Sequence, residues 1–524
     1  MTWRWLKSSP LALVVLASTL SGQPSALEKG VQLIREHRFE QALVELEQAQ
    51  KIAPRDAMIE NLLGIAETQL GHIDEAGKHY RIAIRLDPLQ AAPHKNLGFN
   101  LLNAKNYSAA EPELRKASQL DPRDKFAHYY LLLLALATAS DAEVVTQASQ
   151  AGNLPDNDPE IAAEVVEAEI RSGHVDEAGA RIESLEKANQ LSSTREYNIA
   201  ALLTQRNFYP EAIHCFRRIS SLDPSWQSRY NLALALLYGG KAEEASTLLA
   251  ALRVEQPDNA DILMFLGSAL ESQQKMPEAS EAYRAAAAAD PSNPDRTLDY
   301  TRLLMDLDRY DEAIQVVRAG MTETSASAPL ELRLGAVEML KSNYPAAREA
   351  FHAALAAAPD LDAAYVGLAQ TYAREADDAA AIRVLEEART KYHDHYLLEY
   401  YFGLLASRLG REQEAIAALE KASQLEPDSP DPFYELGKIR VAQEDWPLAR
   451  HAFEHVVKLD PSLASAHYQL SRVYGHLGLN AKAQQEAQQT HSLIDSQRKE
   501  ALQRQRERGS FQPLASEAQS LQNK

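Results

Sequence analysis

The amino-acid sequence predicts an all-α fold in which about fourteen helix-turn-helix units stack into one α-solenoid. Three observations lead to this prediction. Prolines recur every 34 residues, alanines lie twelve residues before almost every proline slot, and small residues lie another twelve residues earlier. Three series that share one period indicate a tandem repeat of one supersecondary unit. A single unit cannot bury its apolar face alone, so neighbouring units must stack and share a core.

The two main series give the register of the repeat. The proline series has one interval of 33 residues and other residues at four intervening slots, and its members are Pro54, Pro88, Pro122, Pro224, Pro257, Pro291, Pro359, Pro427 and Pro461. The alanine series departs only at Val144, and its members are Ala42, Ala76, Ala110, Ala178, Ala212, Ala245, Ala279, Ala313, Ala347, Ala381, Ala415, Ala449 and Ala483.

Residues 57–90 illustrate how one repeat is expected to fold. Leu62, Leu63 and Ile65 have the spacing of an apolar helix face. Gly71 interrupts that helix, and a second amphipathic helix follows until Pro88, because the residue before proline avoids the α region. The pattern therefore predicts two antiparallel helices per repeat. The small residues are expected where the two helices cross closely, beside a large side chain such as Tyr80.

These residues resemble the tetratricopeptide repeat (TPR) family. The resemblance rests on small residues at unit positions 8 and 20, an aromatic or aliphatic residue at position 24 and proline at position 32. It implies a right-handed superhelix in which positions 2, 5, 9, 12 and 13 of each first helix line a concave groove for extended peptides or partner helices. Fourteen units are predicted, starting at residues 23, 57, 91, 125, 159, 193, 226, 260, 294, 328, 362, 396, 430 and 464.

The repeat divides the chain into three parts. Residues 1–22 contain Arg4, Lys7 and then about ten apolar residues, the layout of a secretory signal peptide, with an uncleaved membrane anchor as the alternative. Residues 23–496 form the predicted continuous solenoid, and residues 497–524 a polar helical extension and a flexible tail. The units starting at 125 and 159 depart most from the pattern, so a kink or break is expected near residues 150–160.

Composition excludes several functional classes. The formal net charge is −20, from 74 acidic and 54 basic residues, which does not suit a general nucleic-acid binder. Cys215 is the only cysteine, and it is predicted to be a partly buried, unreactive thiol. The string His451-Ala-Phe-Glu-His455 matches a zinc-peptidase motif, but the repeat register places its polar side chains on a solvated face.

Projecting the sequence onto the lining positions predicts a groove with two unlike halves. Early units offer mainly the apolar residues Ile65, Phe99, Tyr129, Leu133 and Leu136. Late units offer tyrosines and cations, namely Arg374, Tyr400, Arg408, Tyr434, Lys438, Tyr468 and Arg472. Tyrosine provides flat contact area, and Arg and Lys provide charge-assisted hydrogen bonds, so this row is the candidate site for an acidic or extended ligand. The alternative is that the tyrosines pack and the cations pair with neighbouring acids.

The sequence accordingly predicts a noncatalytic, exported scaffold that binds protein or extended peptide partners and needs no cofactor or metal. Envelope, secretion or polysaccharide-export assembly are the settings that the resemblance implies. An acidic-glycan-binding accessory protein is the second interpretation, and the substrate-selecting region of a transferase is a remote third. Nucleic acid is not expected as a partner, and a membrane is expected only through the N-terminal segment if that segment is not cleaved.

Overall fold

A computed structural model describes residues 25–324 and 327–509, with side chains up to Lys499. Every regular element in these ranges is helical, which confirms the predicted all-α class. The predicted signal segment lies outside the described residues, as does the tail after Gly509. No helix in the described part combines the length and the apolar character that a membrane crossing requires.

The helices belong to two compact units, the first ending at Pro257 and the second beginning at Asp258. The first contains seven hairpins. Its helices are α1 (Ala26–Arg35), α2 (Phe39–Ile52), α3 (Ala57–Gln69), α4 (Ile73–Leu86), α5 (Ala91–Asn103), α6 (Tyr107–Leu120), α7 (Lys125–Ala137), α8 (Asp141–Ala151), α9 (Pro159–Arg171), α10 (Val175–Lys187), α11 (Ser193–Gln205), α12 (Tyr209–Leu222), α13 (Trp226–Tyr238) and α14 (Ala242–Glu255).

The second compact unit contains the other seven described hairpins. Its helices are α15 (Ala260–Ser272), α16 (Met276–Ala289), α17 (Pro294–Asp306), α18 (Tyr310–Glu323), α19 (Ser327–Leu340), α20 (Tyr344–Ala357), α21 (Asp362–Arg374), α22 (Asp378–Lys391), α23 (Tyr396–Arg408), α24 (Glu412–Leu425), α25 (Pro430–Ala442), α26 (Trp446–Leu459), α27 (Ala464–His476) and α28 (Asn480–Gly509). Within each compact unit, every odd-numbered helix packs against the even-numbered helix that follows it.

The turn inside each hairpin has one backbone conformation throughout. Position 15 has a positive φ in all fourteen units of the described residues. Glycine occupies it five times, as at Gly71, but nine units use other residues, such as Glu444. At Gly71 the amide donates to the Thr68 carbonyl at 3.1 Å, and the next amide, that of His72, donates to the Glu67 carbonyl at 2.9 Å. These two bonds cap the first helix and reverse the chain.

The small residue at position 8 makes room for the large side chain at position 24. A Cβ atom added to Gly64 would lie 2.5 Å from Cε1 of Tyr80, and one added to Gly437 would lie 2.7 Å from Cζ of Phe453. Both aromatic side chains are buried. The sequence predicted a close crossing at these positions with a large position-24 side chain beside it, and the structure confirms both.

The units starting at 125 and 159 are irregular but share a core. Helix α8 has 11 residues, and a 3₁₀ turn, Pro155–Asn157, precedes α9. Val144 and Ala148 of α8 nevertheless pack in one apolar cluster with Val165 and Ala168 of α9. Apolar contact therefore continues through this region despite the altered connection.

Candidate functional site

The seven predicted site residues lie on four first helices of the second compact unit. They are Arg374 on α21, Tyr400 and Arg408 on α23, Tyr434 and Lys438 on α25, and Tyr468 and Arg472 on α27. Helix α23 packs against both α21 and α25. We call the side chains at unit positions 2, 5, 9, 12 and 13 of the first helices the first-helix face.

The local sequence determines where these helices begin. Nδ1 of His395 accepts a hydrogen bond from the Leu398 amide at 3.4 Å and so caps α23, while its Nε2 lies 2.6 Å from a carboxylate oxygen of Asp362. Pro430 is the first residue of α25, where its fixed φ suits a helix start and its missing amide proton costs nothing. The polar residue His395 thus has a structural role at the start of α23.

Two tyrosine–cation pairs occupy equivalent positions in successive repeats. Nζ of Lys438 lies 5.7 Å from the ring centroid of Tyr434, and Cζ of Arg472 lies 5.9 Å from that of Tyr468. Each pair joins positions 5 and 9 of a first helix, so its members share one helix face. A cation within about 6 Å of an aromatic ring is attracted by the ring quadrupole, which holds the charge beside the flat surface.

The two cations differ in how far the protein compensates their charge. Lys438 makes an ion pair of 2.7 Å with Glu435. Arg472 donates to the amide oxygen of Gln469 at 3.2 Å, and no carboxylate of the described residues lies within ion-pair distance of it. Tyr468 beside it is 54% exposed. The pair on α27 is therefore open to an outside ligand, and the pair on α25 is partly engaged.

Tyr400 and Tyr434 have packing roles as well. The Tyr400 ring stacks on Tyr396 at a centroid distance of 6.1 Å and an interplanar angle of 8°. Burial raises the pKa of the Tyr400 hydroxyl, and the nearby carboxylate of Asp431 raises it further. Tyr434 packs edge-to-face with the buried Phe453 ring, with the ring centroids 5.6 Å apart. For Tyr400 and Tyr434 these contacts support the alternative interpretation, in which the tyrosines pack against neighbouring side chains.

Arg408 links two repeats. Its guanidinium lies 2.9 Å from Oδ1 of Asp378, where Asp378 has position 17 of one unit and Arg408 position 13 of the next. Arg171 and Asp141 have the same two positions in the first compact unit, and Arg171 donates two hydrogen bonds to that carboxylate, at 2.9 and 3.0 Å. The recurrence indicates a structural ion pair between repeats.

Arg374 has the same position as Arg408 but a different neighbour. The residue at position 17 of the preceding unit is Tyr344, which cannot form an ion pair. Arg374 is exposed, and among the described residues no carboxylate lies within ion-pair distance of it. Of the four predicted cations, Arg374 and Arg472 are therefore the two that have no acidic partner within residues 25–324 and 327–499.

The predicted apolar half of the first-helix face lies in the first compact unit. Phe99 stacks on Tyr130 at a centroid distance of 4.4 Å, and Ile65 is buried. Nζ of Lys95 lies 2.5 Å from a carboxylate oxygen of Asp124. Aromatic packing and an internal ion pair thus account for the most prominent side chains of this half.

The sequence did not point to Arg333 as a site residue. Arg333 lies on α19, at position 6 of the unit that starts at residue 328. Position 6 was not among the projected lining positions, yet Nη1 of Arg333 lies 3.6 Å from Sδ of Met305, a first-helix side chain at position 12. A sequence signal was present, because five of the seven methionines fall between residues 264 and 339.

The structure also shows the surroundings of the zinc-peptidase-like string at residues 451–455 and of Cys215. His451 is exposed and Phe453 is buried, while Glu454 accepts a hydrogen bond from the Tyr474 hydroxyl at 2.8 Å. No group of three His, Cys, Asp or Glu side chains within the described ranges is arranged to hold a metal ion. Cys215 is only 1% exposed, which is more buried than predicted, and burial raises the pKa of its thiol to about 12.

The hairpins, their common turn and the paired positions 8 and 24 define a helical-repeat protein. Three sequence profiles, each described as tetratricopeptide repeat, match the chain. The first matches residues 27–91, 197–245, 230–294 and 434–490, the second matches residues 270–328, and the third matches residues 402–429. Together these profiles match more than half of the chain. The chain belongs to the tetratricopeptide repeat family.

Solved structures similar to the chain include three proteins of low sequence identity. The APC/C heterotetramer Cut9–Hcn1 is 14% identical, with a TM-score of 0.36, over 85% of this chain and 96% of that one. Yeast Tom70 is 15% identical, with a TM-score of 0.36, over 84% and 97%. A tetratricopeptide repeat protein from Parabacteroides merdae is 17% identical, with a TM-score of 0.36, over 45% and 93%. No curated protein matches the chain significantly.

Proposed function

We propose that this chain is a noncatalytic, exported scaffold that binds protein partners along its first-helix face. The observation that carries the proposal is the open pair on α27, where the exposed Tyr468 ring lies beside Arg472, a cation that meets no carboxylate in the part of the chain that the structure describes. Aromatic rings and arginines are the residue types that dominate binding energy at protein interfaces. Membership of the tetratricopeptide repeat family supports the same class of function, because such folds typically mediate protein–protein interaction.

The noncatalytic part of the proposal has a separate basis. Helical hairpins account for nearly all of residues 25–324 and 327–509. In these ranges the strongly buried ionisable groups have structural partners. Glu399, for example, is 2% exposed and lies between Arg389 at 2.7 Å and Lys421 at 3.1 Å. Groups so engaged hold helices together and are not available to act on a substrate.

Export rests on the N-terminal segment. We expect removal of the segment around residues 1–22 during secretion, with retention as a membrane anchor as the alternative. Expression of the full chain in a secreting host, followed by intact-mass measurement of the product in each fraction, separates the two. A cytoplasmic product of full mass would contradict export. Envelope, secretion and polysaccharide-export assemblies are the settings proposed for the exported scaffold.

Affinity capture with crosslinking tests the binding function. The chain without its leader is used to capture partners from an envelope extract, and crosslinked residues are mapped. The double variant Lys438→Glu, Arg472→Glu is expected to lose most of the captured partner, because both pairs on α25 and α27 would repel an acidic segment. The matched control is Arg284→Glu, Arg383→Glu, which makes the same charge change on exposed second-helix residues. Equal capture by both double variants would refute a role for the two pairs.

An acidic glycan is the second candidate ligand, and the open Tyr468–Arg472 pair favours it. A flat exposed ring can lie against a sugar face, and a guanidinium that, among the described residues, is hydrogen-bonded only to an amide oxygen can bind the carboxylate of the sugar. A glycan array probed with the full chain distinguishes the candidates. Binding to acidic glycans that is lost with Arg472→Glu, together with no captured protein, would favour the glycan function.

A further inference from the structure

Arg333 is a partly buried cation that has no counter-ion among the described residues. Its only hydrogen-bond partner among the described residues is Sδ of Met305 at 3.6 Å, a weak acceptor, and no carboxylate oxygen lies within ion-pair distance. Burial lowers the pKa of Arg333, and the positive charge of Arg302 lowers it further. A guanidinium that loses hydration without gaining a partner is unfavourable in the isolated protein.

Most of the carboxylates near Arg333 form ion pairs with another cation. Arg302 pairs with Glu271 at 2.7 Å and with Asp306 at 3.1 Å, so those two carboxylates already have a cation. Asp299 is the remaining acid that acts on Arg333, but it forms no ion pair with it, and burial raises the pKa of Asp299. The compensating negative charge is therefore not supplied at close range by the helices that pack around Arg333.

Helices α15, α17 and α19 carry methionine and leucine side chains that are only partly covered by the core. These side chains lie at unit positions 5, 12 and 13 on the three helices and are partly buried or exposed. They are Met264, Leu298, Met305, Leu332, Met339 and Leu340. Leu340 is 49% exposed. Methionine adapts its shape readily and is frequent at surfaces that bind other proteins. Methionine and arginine are both enriched at the centres of protein interfaces.

We infer that the first-helix face of α15, α17 and α19, together with Arg333 beside it at position 6, binds a partner segment that combines aliphatic side chains with one carboxylate. The aliphatic groups pack on the methionines and leucines, and the Asp or Glu carboxylate pairs with the Arg333 guanidinium, which can bind it through two parallel hydrogen bonds. The inference deepens the proposed scaffold function by naming a second binding region and the chemistry of its partner. It concerns helices other than those that carry the Tyr434 and Tyr468 pairs.

A peptide panel tests the inference without a known partner. Short leucine-rich peptides with a single glutamate placed at each position in turn are compared with their glutamine counterparts by fluorescence anisotropy, using the full chain. The best glutamate peptide is expected to bind about tenfold more tightly than its glutamine counterpart. Arg333→Met should abolish that difference, and Arg333→Lys should retain part of it, because lysine keeps the charge but cannot form the two-pronged contact.

Controls and outcomes distinguish this inference from the proposed function. Arg284→Met removes an exposed arginine of a neighbouring second helix and should keep the full glutamate preference, and circular dichroism verifies that each variant is folded. Equal binding of glutamate and glutamine peptides would overturn the inference, as would a preference that survives Arg333→Met, or no binding by any peptide. If envelope partners are still captured and crosslinked to α25 and α27 in those cases, the proposed function stands and only this inference fails.

Discussion

Replacing Gly64 by alanine tests the packing of positions 8 and 24. The new methyl group would lie 2.5, 2.7 and 3.0 Å from three atoms of the Tyr80 ring. Ordinary contact requires about 3.5 Å or more, so the ring or the helix must move by roughly 1 Å. Tyr80 is 2% exposed and its hydroxyl is 2.8 Å from Thr68 Oγ1, so the ring is held at both ends.

The expected magnitude follows from three contributions. Overpacking of a core costs about 1–3 kcal/mol, and loss of the Tyr80–Thr68 hydrogen bond costs about 1 kcal/mol more. Alanine in place of glycine within a helix returns about 1 kcal/mol. Gly64→Ala should therefore lower the free energy of unfolding by about 1–3 kcal/mol.

The matched control is Gly179→Ala, which lies within α10 and whose added Cβ would meet no atom of the described residues within 4 Å. This variant should raise the free energy of unfolding by about 0.5–1 kcal/mol. Urea denaturation followed by circular dichroism measures both variants. Hydrogen exchange of the α3 and α4 amides locates the effect, because repeat proteins open locally. If Gly64→Ala is as stable as Gly179→Ala, the proposed packing of positions 8 and 24 is wrong.

Three further predictions follow from the turns, the thiol and the seam between repeats. Ala376→Gly, at a positive-φ turn, should stabilise the protein by about 0.5–1 kcal/mol, and Gly410→Ala should destabilise it by a similar amount in urea denaturation. Cys215 should not react with a thiol reagent at pH 8 until denaturant is added, because its thiol is buried and stays protonated; rapid labelling of the native chain would contradict this. Arg408→Met should lower thermal stability by the equivalent of about 0.5–1 kcal/mol, whereas Arg374→Met should leave it within about 0.5 kcal/mol, because only Arg408 pairs with a carboxylate. Equal losses for the two arginine variants would show that the seam ion pair has no net effect.

Much of the fold was predictable because its determinants lie close together in the chain. A repeat of 34 residues places Gly64 opposite Tyr80 and puts a proline slot just after the end of most second helices, so periodicity alone indicates paired helices and their register. The turn was only partly predictable. Gly71 marks it by residue type, but Ala376 adopts the same positive φ because the helices on both sides of the turn require it.

The candidate site was less accessible to sequence reasoning. The spacing placed Tyr468 and Arg472 on one helix face, and the structure brings them together. The role of Arg408 depends on Asp378 in the preceding unit, thirty residues away, so its pairing could not be read from its own helix. Arg333 lies at position 6, outside the family's lining positions, so only its contact with Met305 places it beside the first-helix face.

The sequence by itself determined the helical-repeat class, the register of the repeats and the small and large residues that pack inside each hairpin. Those features depend on interactions between residues that one repeat length spans. Only the tertiary structure decided which cations are compensated and which remain available. A charge is neutralised by whatever carboxylate comes within a few ångströms, and that distance depends on how neighbouring repeats stack.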